Sequence, residues 1–396
     1  MKINVGVMFG GESVEHEVSV ISALQAIEAL DKNKYNIVPI YISKTSDFYQ
    51  SDSLFHIETY QDLDKLIAES RQVYLYKEGG QVYLSPLKQR LFKSEKQLID
   101  VVIPIMHGTN GEDGVLQGYL EMLKVPYSGS DVTASAIGQD KVIMKHVFEN
   151  NKLPIVDWFW FYSHQFEASQ QYLDQANAIG YPLVIKPANL GSSIGISIVN
   201  NDQEFIEGVN VASEYDVKIV VEKGISKLRE VNCSVLGDIY ESEVSLIEEV
   251  VKEDIILSFE DKYLSNAKGS KGGKSEGMAS TKREVPANLS PKLESEVYSL
   301  SKKVVEVLGS SGVCRIDFLL DSETEELFVN EINSMPGSLA FYLWTPKDVS
   351  FSAIMDNLIK QAIDRQRRRE KMTFSYSSNI LSNYSTSGSK GLKTKL

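Results

Sequence analysis

Apolar positions fall into two rhythms along this chain. Lys2 to Phe9 is an apolar run stopped by Gly10-Gly11, and Val20, Ala23, Leu24, Ile27 and Leu30 follow at helical spacing. Tyr35 to Ile42 is apolar again. Short apolar runs bounded by turn residues predict strands, and an i, i+3, i+4 pattern predicts a helix with one buried face. A β-α-β opening predicts an open parallel sheet. Ser43 to Asp100 is polar and mixed, an elaboration with its own hairpin around Gly79-Gly80. Asp100 to Met106 returns as a fully apolar strand, the pattern of a sheet covered on both faces. A loop, a helix from about Val115 to Leu123 and a short strand after Pro126 complete a first unit, residues 1–130.

Beyond Asp140 the rhythm changes. One more helix, Asp140 to Asn150, leads into strands expected to be joined by short loops: Pro182 to Pro187, Ile194 to Val199, Lys218 to Glu222 and Val231 to Leu236. Two further subdomains are expected, 131–224 and 225–365, the second closing on a helix from Ser350 to Arg365. Residues 366–396 hold Arg367-Arg368-Arg369 and then mostly Ser, Asn, Thr and Gly. Such a composition cannot bury a core, so a disordered tail is expected, its arginines forming a solvated helix end. There is no internal repeat.

Composition narrows the function more than the fold. A chain of 396 residues with 42% hydrophobic and 24% charged positions has an ordinary soluble make-up and is long enough for two or three domains. No apolar run approaches membrane-spanning length and Met1-Lys2 leads straight into a strand, so no membrane partner, no secretory signal and a cytoplasmic location are expected. Cys233 and Cys314 each lie in an apolar run and read as reduced core residues. A net charge of −13 argues against nucleic acid as a partner. An acidic chain that handles a polyanion must gather its Lys and Arg locally.

Three places do so. Arg315-Ile-Asp-Phe318 reads as a strand, and Asn330-Glu-Ile-Asn333 as its partner across an acidic turn. Residues two apart in a strand share a face, so Glu331 and Asn333 point together, and a hairpin brings Asp317 across to meet them. Two carboxylates and an amide oxygen beside a guanidinium suit Mg²⁺ against phosphate oxygens, although a surface hairpin with solvated charges would hold the same residues. Lys186-Pro-Ala-Asn-Leu-Gly-Ser-Ser-Ile-Gly195 is a strand, a small-residue loop and a strand. Its glycines allow close backbone approach, Ser192 and Ser193 add hydroxyls, and Lys186 adds a charge for phosphate; it is not a Walker loop. His107-Gly-Thr-Asn-Gly-Glu-Asp-Gly114 and Gly10-Gly-Glu-Ser-Val-Glu-His-Glu17 occupy carboxyl ends of strands in the first unit, where open α/β sheets place ligands.

With Asp140-Lys141, Lys262-Tyr263 and Asn330 to Gly337, these segments resemble, in order, the D-alanine–D-alanine ligase family of the ATP-grasp superfamily. The resemblance runs to about Gly337 and implies an α/β, ATP-grasp fold behind a Rossmann-like N-terminal domain. It implies an enzyme that joins two amino acids at the expense of ATP through a D-alanyl phosphate, in peptidoglycan precursor synthesis. Lys141, Lys186, Ser193, Glu222, Glu230 and Lys262 are then expected at ATP, with Glu222 near adenine and Glu230 at the ribose. Asp317, Glu331 and Asn333 are expected to hold Mg²⁺, with Mn²⁺ an alternative. Glu15 would receive the first D-alanine's ammonium in a hydrogen-bonded set with Ser192 and Tyr263. His107 would lie at that substrate's carboxylate. Arg315 would face the acyl phosphate, with Gly337 supplying a backbone amide. Small-molecule amino-acid substrates are the expected partners; a homodimer stays open.

The lysines and glycines from Lys262 to Lys282 fit either a basic surface loop or a lid over a water-sensitive acyl phosphate, and the family places its ω-loop there. One segment departs from the family. Five residues past Gly337, where a serine hydroxyl usually anchors the acceptor's carboxylate, this chain has Tyr342, and Phe341 and Trp344 are expected to add bulk to the pocket. A ligase with a different acceptor amine is therefore the alternative within the class. A nucleotide-binding homologue without turnover and a dehydrogenase are the alternatives outside it, the latter weakened by the missing Gly-x-Gly-x-x-Gly after the first strand.

Overall fold

The computed structural model describes residues 2–88, 95–166, 170–250 and 283–378. The first sheet has seven strands, β1 (Ile3–Gly10), β2 (Tyr35–Ile42), β3 (Phe48–Gln50), β4 (Arg71–Glu78), β5 (Gln81–Pro86), β6 (Gln97–Ile99) and β7 (Val101–Ile105). Their order is β6-β5-β4-β3-β2-β1-β7. β2, β1 and β7 are parallel, and the rest extend the sheet antiparallel, with β4 and β5 joined at Gly79-Gly80. The alternation expected of a strand sorts β1 cleanly. Val5, Val7 and Phe9 face a core that includes Val20, Ala23 and Ile27 of the helix His16–Ala29. Met8 faces a second core with Leu116 and Leu120 of the helix Val115–Leu123. Cover on both faces explains why these strands are continuously apolar.

The second sheet is β8 (Trp158–Tyr162), β9 (Leu183–Pro187), β10 (Ser197–Val199) and β11 (Lys218–Lys223), in the order β10-β9-β11-β8 and antiparallel. The third is β12 (Leu228–Gly237), β13 (Ser242–Val250), β14 (Arg283–Glu284), β15 (Gly312–Asp321) and β16 (Leu327–Asn333), in the order β14-β13-β12-β15-β16 and antiparallel. Short loops were expected between these strands, and here the structure differs. Helices Gln170–Ile179 and Asp202–Ser213 cover the second sheet, and Pro291–Leu308 covers the third. The signals are in the chain: Phe205, Val209 and Ala212 share one helical face, and Ser290 caps a helix whose first residue is Pro291. Cys233 and Cys314 are buried free thiols in the third sheet's core, burial pushing them up to about 11 and about 12.

The last helix also departs from expectation. It runs Phe351–Glu370, past Arg365, and returns to the first sheet, where Ile354, Met355, Leu358 and Ile359 join the core of β1 and β7. Of the three arginines expected to form a solvated end, two are held by carboxylates from other elements, and Arg365 before them is engaged as well. Arg365 Nη1 donates to the Gly129 carbonyl at 2.6 Å and Nη2 to that of Tyr127 at 2.5 Å. Arg368 pairs with Asp238 at 2.8 Å, and Arg369 with both carboxylate oxygens of Glu121 at 3.1 Å; Arg367 stays exposed beside Asp364. The rest of the expected tail, from residue 379, lies outside the described residues. No helix among the described residues is long and apolar enough to cross a membrane.

Candidate active site

A cavity of about 220 Å³ opens between the second and third sheets and is closed at one end by loops of the first. Strand alternation builds its floor. Cys314, Ile316, Phe318 and Leu320 of β15 point into the core under the helix Pro291–Leu308, which leaves Arg315 and Asp317 on the opposite face. Sheet register then makes a polar row: Glu248 lies opposite Asn232, Asn232 opposite Asp317, and Asp317 opposite Glu331. One step along, Arg315 lies opposite Asn333. The hairpin expected from the sequence is therefore formed, in the expected register. Arg315 donates to both oxygens of Asp317, at 2.6 and 2.7 Å, and Asn333 Nδ2 donates to Asp317 at 3.0 Å. Burial raises the Asp317 carboxyl above its usual range, and the charges of Glu331 and Glu248 add to this against the pull of Arg315. Among the described residues no three His, Cys, Asp or Glu side chains form a metal cluster, so the oxygen set here is two carboxylates and one amide.

The opposite wall comes from the second sheet and the helix Lys141–Asn150. Lys186 at the end of β9 reaches Glu222 of β11 at 2.6 Å and Asn330 Oδ1 at 3.2 Å. Lys141 donates to the Leu190 carbonyl at 2.9 Å and stands 3.5 Å from Glu331. Lys145, one turn on from Lys141, is fully buried with its ammonium 2.9 Å from the other oxygen of Glu222, an ion pair whose direction falls short of a hydrogen bond. Burial would raise the Glu222 carboxyl, but the two lysines outweigh it and hold it down at about 2. Glu222 thus spaces Lys145 and Lys186. Sequence reasoning passed over Lys145, although a second lysine at i+4 on a buried helix face was the available signal. Glu230 and Ser193 also line the cavity.

Loops of the first sheet close the end. Glu15 precedes the helix His16–Ala29 and accepts a short hydrogen bond from the Ser192 hydroxyl, tying the first unit to the small-residue loop. Ser192 and Ser193 both hold φ near +60°, so this loop turns by a left-handed pair. His107 is buried with both ring nitrogens engaged, Nδ1 with the Met335 carbonyl at 2.8 Å and Nε2 with Ser22 Oγ at 3.1 Å. Burial lowers its pKa, so the ring is neutral at pH 7. Glu112, also missed, accepts from the Gly108 N–H at 3.0 Å, the Met335 N–H at 2.8 Å and the Ser334 hydroxyl at 3.2 Å. Burial, with the nearby negative Glu15, pushes its carboxyl up to about 7. His107 and Glu112 together lace the first unit to the turn that carries Gly337.

That turn settles part of the departure noted in the sequence. Trp344 is fully buried, its indole donating to Ser234 Oγ at 3.0 Å, and Phe341 stacks on Phe351 at 4.7 Å between centroids. Neither ring lines the cavity, contrary to expectation, because the core that the helix Phe351–Glu370 forms with the first sheet claims them. Tyr342, expected at the acceptor, is not in the lining either; it packs behind it, its hydroxyl 3.5 Å from Glu248 Oε1 and its ring under the Arg283 guanidinium at 4.0 Å. Arg283 donates to the other Glu248 oxygen at 2.8 Å. Nothing local in the sequence marks Arg283 or Glu248; sheet register brings them here. Lys262 and Tyr263, and all of the expected lid, lie outside the described residues. The described lining carries seven carboxylates against five Lys and Arg side chains. An anionic substrate meets few cations here that are not already paired.

Comparison with known proteins identifies this arrangement. The family model described as D-ala D-ala ligase N-terminus matches residues 4–130, and that for the D-ala D-ala ligase C-terminus matches 147–360. A D-alanine–D-alanine ligase of Thermosipho melanesiensis is 36% identical over 382 residues, covering 96% of this chain and 98% of the relative. Among solved structures, the D-alanine–D-alanine ligase of Coxiella burnetii superposes with a TM-score of 0.77 at 27% identity, covering 93% of this chain and 96% of that one. A D-Ala:D-Ser ligase from Enterococcus faecalis gives 0.75 at 25% identity, over 91% of this chain and 100% of the other. The chain belongs to the D-alanine–D-alanine ligase family, ATP-dependent enzymes that form a peptide bond.

Proposed function

We propose that this chain joins two D-alanines for peptidoglycan precursors and that the roles divide across the cavity. ATP lies between the sheets, its phosphates toward Lys141, Lys186 and Ser193, with Glu222 and Glu230 at the nucleoside end. The single observation that carries this reading is the polar row of the third sheet facing those lysines across one cavity. Asp317, Glu331 and Asn333 would hold Mg²⁺, or Mn²⁺ in its place. The donor set fits: these are hard oxygens, the two carboxylates repel each other enough to help raise Asp317, and turning the Asn333 amide brings its oxygen to the site. A metal bound there supplies positive charge at the phosphates, which a lining richer in carboxylates than in cations does not.

The chain's own residues then do the following. Glu15, fixed by Ser192, receives the ammonium of the first D-alanine; Tyr263 would join them. His107 orients the wall at that substrate's carboxylate through the Met335 carbonyl. The donor carboxylate attacks the γ-phosphorus, a P–O bond forms, the bond to the β-phosphate breaks and ADP leaves. Arg315 and the Gly337 amide stabilise the oxyanion as the acceptor amine attacks the acyl carbon. A C–N bond forms, phosphate departs, and the amine loses its proton. The domains divide accordingly: 1–130 for the first substrate, 131–224 and 225–365 for the nucleotide and metal.

Asp317→Asn and Glu331→Gln test the metal. Each removes an anionic ligand worth several kcal/mol, so ADP release should fall by roughly a hundredfold or more while the fold persists. Dipeptide formation near the normal rate in either variant would sink the assignment.

A further inference from the structure

The place where the family uses a serine is occupied here by a three-residue polar assembly. Glu248 of β13 is almost fully buried and accepts from Asn232 Nδ2 at 3.1 Å and Arg283 Nη1 at 2.8 Å. Arg283, on the two-residue strand β14, lies over the Tyr342 ring at 4.0 Å. Its side chain is 12% exposed, and Arg283, Glu248, Arg315 and Gly337 all line the same cavity. Both arginines act electrostatically on the Tyr342 hydroxyl, and Glu248 and Tyr342 act on Arg315. A guanidinium fixed by a buried carboxylate and an aromatic face has lost its side-chain freedom in advance. It therefore presents a planar fork at little further entropic cost.

Carboxylates are what such forks recognise. Arg315 is already committed bidentately to Asp317, so a second cation is needed to hold a second anion at this end. We propose that Arg283, carried on Tyr342 and oriented by Glu248, binds the acceptor's α-carboxylate in place of the serine hydroxyl. The substrate class is an α-amino acid with a free carboxylate. An amide or ester of the same amino acid lacks the charge the fork requires. This inference rests on the ligase reading above and makes Arg283 a specificity-determining residue of it.

The test pairs D-alanine as donor with D-alanine or D-alaninamide as acceptor in the full-length enzyme, following ADP and product. Arg283→Gln should raise the KM for acceptor D-alanine by roughly 10- to 100-fold, as for loss of a charged hydrogen bond. It should leave the KM values for ATP and donor within about twofold, and it should erase most of the discrimination between D-alanine and D-alaninamide. Arg283→Lys should restore part of that discrimination, and Tyr342→Ser should weaken it more than Tyr342→Phe. A merely structural arginine would move ATP, donor and acceptor together. Unchanged discrimination in a folded Arg283→Gln enzyme, or equal effects on all three substrates, overturns the anchor and leaves the ligase reading standing. A wild type that releases no ADP with any amino acid overturns the ligase reading and the anchor with it.

Discussion

Single side chains in this site act mostly by holding other side chains. Glu222 spaces two lysines, Ser192 fixes Glu15, and Glu112 gathers three donors from two separate loops. Glu112 carries a pH dependence. Folded, it keeps its proton to about pH 7; unfolded, it loses it around the ordinary glutamate value of 4.5. Between these limits the folded state binds more protons, so the stabilising contribution is full at low pH and is lost as pH rises toward 7. The charge of Glu15 adds to the upward shift, and burial lowers the pKa of His107 in the same loop. Relative to Glu112→Gln, which cannot titrate there, the natural protein should lose up to about 3 kcal/mol between pH 4.5 and pH 7. Thermal melts of both proteins at pH 5 and pH 8 measure it; a gap that does not change with pH would mean that the carboxylate is ionised throughout.

At the scale of elements, two close approaches shape the site. Gly312 opens β15 at φ +90°, and a Cβ there would lie 2.7 Å from the Gly129 Cα and 2.9 Å from its nitrogen. Both contacts are with backbone, which cannot turn aside. Gly312→Ala should cost about 2–4 kcal/mol, from the left-handed backbone and from the overlap, and lower the melting temperature by several degrees. An unchanged melt would mean that β15 and the Gly129 turn are not packed as described. The turn after Gly337 is the other. Ser338, Leu339 and Ala340 hold φ values of 54°, 50° and 49°, a left-handed run without glycine. Burial of Leu339 and Ala340 and the bond from Ser338 N–H to Ser22 hold it in place. Such strain persists where surrounding structure over-determines it, and it sits beside the proposed acceptor end.

For the molecule as a whole, the final helix is the fastening. It leaves the third sheet, packs on the first, and uses Arg365 to satisfy the carbonyls of Tyr127 and Gly129. The guanidinium also covers the Tyr127 ring at 4.2 Å. Arg365→Ala strands the Tyr127 carbonyl, leaves that of Gly129 with the Ser311 hydroxyl alone, and should cost about 1–3 kcal/mol. The expected outcome is a lower melting temperature, with Arg365→Lys intermediate; equal melts for all three would show that apolar packing alone fastens the helix.

Periodicity in the chain determined the parallel opening of the first sheet, the apolar β7, and the Asp317–Glu331 hairpin, because alternation and turn residues are local facts. The same locality put Arg315, Asp317, Glu331 and Asn333 on one face before any fold was known. Resemblance across ordered segments supplied the family. Only the tertiary structure decided the rest, since it depends on residues far apart in sequence. Helix signals at Phe205, Val209 and Ala212 and at Ser290-Pro291 are legible in the chain, but which sheet each helix covers depends on contacts far apart in sequence. The arginines near 368 looked solvated until their partners at Glu121 and Asp238 arrived from two other units. Phe341 and Trp344 were expected in the pocket, and the core took them, because burial of large rings is decided by whichever apolar face lies nearest in space. Arg283, Glu248 and Tyr342 are separated by 35 and 94 positions along the chain and carry no motif. Sheet register and one turn bring them within bonding distance.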